Sequence, residues 1–318
     1  MRLLISMGIL AATLAAPSQA REPIRLKPTS NWYLDYAEDS CRLARKFGTG
    51  DDEIMLLLDQ FEPGDSFHMI VAGSKLRPKT ATMFLDVSLR FGPDEEDFKT
   101  KVTPGDLGTK RALIFSGERI AALTDTEKAL ADEHKKTGVP VTLPPIGNAR
   151  ESAVRWMEIK GATRDSLILE IGPMSKALDA LRACSWDTVK LWGLDVEEQK
   201  TLSRAPIATR SLDTWFSAED YPKNLVLDGV QGNVNFRLII DETGKIASCN
   251  IQKSTRPMEF DELVCRLATK RGRFKPALDA AGKPVRSLLP PDHRLPNTGL
   301  IQNPPRKPAT FTPSASTA

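Results

Sequence analysis

The chain has 318 residues, 41% of them hydrophobic and 27% charged, with a formal net charge of +3. That length favours two domains over one, and the composition is that of a globular protein able to bury a sizeable core. So small a net charge argues against a nucleic-acid partner or an anionic membrane surface.

Arg2 gives the N-terminus a short positive start, Leu3 to Ala16 is an apolar run, and Pro17-Ser18-Gln19-Ala20 offers small residues where a signal peptidase reads. Residues 1–20 therefore read as a signal peptide cleaved after Ala20, which places the mature protein in the periplasm. The run is shorter than the roughly 20 residues of a spanning helix. An uncleaved inner-membrane anchor is the competing reading, because a short span can tilt or thin the bilayer locally. Four cysteines follow, Cys41, Cys184, Cys249 and Cys265. An even count in an exported chain favours disulfides over free thiols, and three pairings are open.

Residues 21–31 read as an exposed lead-in and residues 32–200 as an N-terminal α+β domain. Short strands are predicted at Ile54–Phe61, Phe67–Ala72, Thr82–Phe91 (Met83, Leu85, Val87 and Leu89 on one face), Arg111–Phe115 and Ser166–Ile171. Short strands between turn residues suggest a mainly antiparallel sheet. Residues 126–150 read as a short helix and a loop broken by prolines. Gly172-Pro173 opens a helix whose Met174, Ala177, Leu178, Leu181 and Cys184 share a side, as core packing requires. Residues 195–215 are polar and mixed and mark a domain boundary.

No nucleophile elbow, phosphate loop, metal motif or paired His/Cys arrangement is present, so no catalytic residue, metal ligand, cofactor or small-molecule substrate is indicated. The three histidines, His68, His134 and His293, lack metal-ligand spacing. Asp35, Glu38 and Asp39 could in principle do acid–base work, but such a cluster reads first as a solvated turn. An enzyme housed in the N-terminal domain is the weaker functional reading.

The clearest strand is Asn233–Ile240, where Val234, Phe236, Leu238 and Ile240 alternate with a mostly polar set, as a one-sided sheet demands. Asp241–Gly244 reads as a hairpin turn and Ile246–Gln252 as the returning strand. Pro257 opens a helix whose Phe260, Leu263, Val264 and Leu267 would cover the apolar face. Arg271, Arg273 and Lys275 are expected as solvated charges at its end, with Pro276 stopping it. Asp279–Gly282 is a turn, and Pro284-Val285 to Leu289 a last strand, giving β-β-α-β. Residues 291–318, rich in proline, read as a disordered tail.

Tyr221-Pro222, Gly229, Gly232-Asn-Val-Asn-Phe236, Ile240-Asp241, Gly244-Lys-Ile246, Ser254, Phe260-Asp261, Arg273-Phe-Lys-Pro-Ala277 and Gly282-Lys-Pro-Val285 resemble, in order and spacing, the C-terminal domain of TonB energy transducers. The resemblance covers residues 205–290. It implies a β-β-α-β fold, no catalysis, and a protein partner: the short TonB-box peptide of a TonB-dependent outer-membrane receptor, added to the sheet edge, or another envelope protein. The expected contacts are Val285, Arg286, Ser287, Leu288 and Leu289, with Tyr221; backbone bonds along an edge strand supply affinity. A covered edge, shielded by the tail or the first domain, is the opposing expectation. Within this module Cys249 on a strand and Cys265 on the covering helix would pair, although Cys265 sits off the centre of the apolar stripe; Cys41 would then pair with Cys184. Family members keep an N-terminal anchor with a histidine in it and a long proline-rich spacer. Residues 1–20 contain no histidine and residues 32–200 look folded, so energy transduction is not implied by the match alone.

Overall fold

The structure is a computed structural model and describes residues 22–37, 39–79, 84–137, 143–210, 212–227, 232–254, 258–289 and 298–301. The expected signal segment, Glu38, Met83 and Pro257 lie outside these residues, as does most of the tail.

The N-terminal domain is built on one sheet. Its strands are β1 (Ile24–Leu26), β2 (Tyr33–Tyr36), β3 (Cys41–Phe47), β4 (Ile54–Gln60), β5 (Phe67–Gly73), β6 (Leu85–Phe91), β7 (Phe98–Leu107), β8 (Lys110–Glu118), β9 (Met157–Lys160) and β10 (Leu167–Leu169). The order is β1-β10-β9-β6-β7-β8-β5-β4-β3-β2. Every pairing is antiparallel except β1 with β10. The lead-in is thus exposed in most side chains but carries a strand. Just past β1 the chain reaches β3: Thr29 N donates to Lys46 O at 2.9 Å and Gly48 N to Lys27 O at 3.0 Å. Residues 27–29 and β2 share the second edge of β3, so the sheet closes on itself.

Alternate strand residues point inward because successive side chains face opposite sides. Leu43 and Phe47, Leu56 and Leu58, Met69 and Val71, Val87 and Leu89, Leu113 and Phe115, and Met157 and Ile159 belong to one buried core. Two helices, α1 (Asp125–Thr137) and α2 (Asn148–Ala153), lie between β8 and β9. The long helix α3 (Ser175–Leu191) packs Leu178, Leu181 and Cys184 into the same core. It runs two turns beyond that stripe and there buries Ser185, Thr188 and Val189; Ser185 Oγ donates to Gln60 Oε1 at 2.6 Å. The Cys41–Cys184 disulfide ties α3 to the start of β3.

A short helix, α4 (Val196–Lys200), is capped by Asp195, whose carboxylate accepts from Glu198 N. Beyond β11 (Ile207–Ala208) and α5 (Lys223–Leu227) come β12 (Gly232–Ile240), β13 (Ile246–Ser254) and α6 (Met258–Arg271). They are followed by β14 (Phe274–Lys275), β15 (Ala277–Leu278), β16 (Pro284–Val285), β17 (Ser287–Leu288) and β18 (Thr298–Ile301). The β-β-α-β order is as expected. The helix ends earlier than Pro276, since Gly272 N closes back on Ala268 O and residues 274–275 turn into strand. The tail is not wholly without structure either, for Thr298–Ile301 pairs with β12.

Candidate functional site

The C-terminal module is assembled around β12. Its apolar face (Val234, Phe236, Leu238, Ile240) meets the stripe Phe260, Leu263, Val264 and Leu267 of α6, together with Trp215, Tyr221 and Phe274. Each fully buried side chain of this size contributes about 1.5–3 kcal/mol. The Cys249–Cys265 disulfide joins β13 to α6 at a Cα separation of 5.5 Å, so the off-centre position of Cys265 is no obstacle.

The motifs behind the resemblance are largely packing devices. Gly244, at φ +81°, closes the β12–β13 turn, and a Cβ there would collide with the Phe274 carbonyl; Phe274 N donates to Gly244 O at 2.9 Å. Arg271 is not a loose charge: its guanidinium donates to both Asp220 oxygens at 2.5 and 2.7 Å and to Trp215 O. Those hydrogen bonds hold the Asp220 carboxyl well below its ordinary range. Tyr221 belongs to this core, 4% exposed and edge-on to Phe260, so it supports the fold and offers no contact surface.

The polar face of β12 is not solvated, which corrects the one-sided reading. Ile239 packs with Val189 and Leu194 beside Trp186, Trp192 and Leu288. Arg237 stacks on Trp192 at 3.9 Å and donates to Asp39 Oδ1 at 2.7 Å. On β13, Gln252 donates to the carbonyls of Asp39 and Phe61, and Lys253 pairs with Asp59 at 3.1 Å. The N-terminal domain therefore covers the second face of the small sheet. Of the acidic cluster near Cys41, Asp39 serves this contact and Asp35 is exposed. Burial raises the Asp59 carboxyl, but the hydrogen bond from Arg42 and the charges of Lys253 and Arg42 outweigh it and leave it below its ordinary value. His68, across the ladder from Asp59, is brought to a pKa of about 4 by desolvation first and by Lys253 second.

The expected partner strand is broken in two. Val285 lies in β16, paired with Ala277, and Ser287–Leu288 form β17, paired with Ile240 and Ile239. Leu289 N donates to Leu238 O at 2.9 Å. Between them, Arg286 O accepts from Gln199 Nε2 at 3.0 Å, and Ser287 Oγ donates to Gln199 Oε1 at 2.7 Å. Helix α4 thus covers part of the outer edge of residues 285–289. No signal in the sequence pointed to Gln199, because one glutamine in a polar linker has no pattern. On the far side of the sheet β13 is the edge, and its register skips Ala247 and Gln252. Such bulges blunt an edge against further pairing.

The N-terminal domain carries a cavity of about 260 Å³ floored by Ile24, Leu26, Leu76 and Leu167. Its rim mixes Lys75, Arg77 and Arg164 with Asp52 and Asp165, and Lys75 pairs with Asp52 at 3.0 Å, so the rim selects no one ligand charge. Among the described residues no three His, Cys, Asp or Glu side chains are grouped to hold a metal, and no helix is long and apolar enough to cross a membrane.

The geometry defines a small β-β-α-β module, stapled by a disulfide and docked through its second face on a closed-sheet domain. Residues 217–291 match the family model described as Gram-negative bacterial TonB protein C-terminal, and this segment belongs to that family. That family is a non-enzymatic domain of the Gram-negative envelope that interacts with envelope proteins such as outer-membrane receptors. The match leaves the closed-sheet domain unassigned. No curated protein and no solved structure matched the chain.

Proposed function

We propose that this is an exported, periplasmic, non-catalytic protein, cleaved after Ala20, whose C-terminal module captures an extended segment of an envelope protein by strand addition. A TonB-dependent outer-membrane receptor is the first partner to consider, which links the chain to transport across the outer membrane. The observation that carries this reading is on β12: its side opposite β13 holds β17 over only two residue pairs and takes an extended strand, β18, over four more. Main-chain bonds along such an edge supply affinity with little demand on sequence. Residues Val285 to Leu289 would flank the incoming strand, Val285 and Ser287 through their backbone because their side chains are buried. Two disulfides with no free cysteine among the described residues suit the oxidising periplasm.

The test is a titration of isotope-labelled mature protein with a synthetic peptide from the periplasm-facing N-terminus of such a receptor. Amide shifts confined to residues 232–240, 285–289 and 298–301 are expected. No binding at millimolar peptide would sink the strand-addition reading. A second reading, a membrane-anchored transducer, rests on the apolar run at residues 3–16; an intact mass that retains Met1 in the membrane fraction would favour it.

A further inference from the structure

We propose that Thr298–Ile301 is a tethered stand-in that holds the partner's place on β12, and that Asn235 selects what replaces it. The inference rests on the strand-addition reading and adds where the segment binds and what it must displace.

Strand β17 leaves β12 early for a chemical reason. In continuing register, residue 291 would face Phe236 and donate an N–H to it, as Leu289 does to Leu238, but residue 291 is a proline and so is residue 290 before it. The lower half of β12 would then be an unpaired edge. Instead β18 pairs Thr298 with Asn235, Gly299 with Val234, Leu300 with Asn233 and Ile301 with Gly232. β17 and β18 are both antiparallel to β12 and lie on the same side of it, one beyond the other. A four-residue strand containing a glycine is weakly held. Its tether gives it a local concentration in the millimolar range, so it competes without being permanent.

Asn235 is 3% exposed, and neither its side-chain oxygen nor its nitrogen has a hydrogen-bond partner. Buried amides are normally satisfied. Residues opposite one another in an antiparallel pair project to the same face; with Thr298 opposite, Asn235 stays unsatisfied, so a strand carrying a longer hydrogen-bonding side chain there recovers what is lost. The fitting partner is an extended segment of at least six residues with a polar side chain longer than threonine at that position.

The mature chain, a chain ending at Leu289, and a full chain carrying Gly299→Pro/Leu300→Pro are titrated with two probes. One is the receptor peptide above; the other is a synthetic copy of residues 296–303. The double proline variant keeps the tail but removes ladder donors of both parities, which guards against misfolding of the truncation. The expected result is that the tail peptide binds both variants and not the parent, and that the receptor peptide binds the variants roughly tenfold more tightly than the parent. A Thr298→Gln tail peptide is expected to bind several-fold more tightly. Receptor peptide binding all three equally, with no binding of the tail peptide, overturns the stand-in and leaves strand addition intact. Tail peptide binding the variants while the receptor peptide binds none supports the slot and sinks the receptor reading. A concentration-dependent dimer of the full chain that is lost on truncation would show the strand exchanging between copies, and would overturn the intramolecular assignment.

Discussion

Glu118 shows how far a single buried group can set the pH response. It is 4% exposed, its pKa is raised to about 7 by desolvation, and the hydrogen bond from Thr100 Oγ1 at 2.6 Å only partly opposes that rise. Unfolded, the same carboxyl titrates near 4.5. The folded state therefore holds its proton more tightly, and the stability this gives is full below 4.5 and lost as the pH rises through 7. Glu118→Gln is expected to stabilise the protein by roughly 1–3 kcal/mol at pH 8 and by almost nothing at pH 4.5. Thermal melts of the two proteins across that range check this, and an equal shift at both pH values would contradict it. At this scale the sequence was least legible. Asn235 and Arg237 alternate with apolar residues and so read as a wet face, yet both are buried because another domain sits over them. Asp39 read as part of a solvated turn, but its carboxylate meets a residue almost two hundred positions away.

At the scale of elements, the cross-link between β13 and α6 fastens the helix to the sheet it covers. It closes a loop of 16 residues, worth about 3 kcal/mol in the chain-entropy account. Replacing Cys249 and Cys265 by alanine is expected to lower the stability of the C-terminal module by that amount in urea unfolding, with α6 retained at low denaturant; an unchanged midpoint would show the link to be idle. Elements that are apolar runs between turn residues, β4 and β5, and the cleanly alternating β12 could be read from the residues alone. Strand β3 could not, because Arg42, Arg45 and Lys46 interrupt its apolar set, and only Cys41, Leu43 and Phe47 point into the core. Strand β7 hides behind two lysines and the Pro104-Gly105 pair, where a central strand is not expected. Composition also misled at the tail: high proline content argues correctly that no core can form there, but a sheet edge asks only for a few residues of backbone.

At the scale of the molecule, the two domains are held by a mostly polar seam: Arg237 with Asp39 and Trp192, Gln252 with two carbonyls, and Lys253 with Asp59. Arg237→Ala removes a guanidinium that is 8% exposed and leaves Asp39 without its partner across the seam. We expect a loss of about 2–4 kcal/mol, a split of one unfolding transition into two, and faster proteolysis between residues 201 and 210. A single transition at the parent midpoint would show that the contact does not couple the domains. The chain has two separate cores, one in the ten-stranded sheet and one around β12, but their docking was not legible in the sequence, since its residues are scattered from position 39 to position 253 and no local pattern joins them. The ring closure of the first domain has a temporal consequence. Its opening strand, Ile24–Leu26, finds its partner only when Leu167–Leu169 arrives. A nascent chain that stops short of the tenth strand presents bare edges to its neighbours. Long-range closure of this kind is slow compared with local pairing, so the protein's dependence on holding factors should be greatest in the interval before residue 169 emerges.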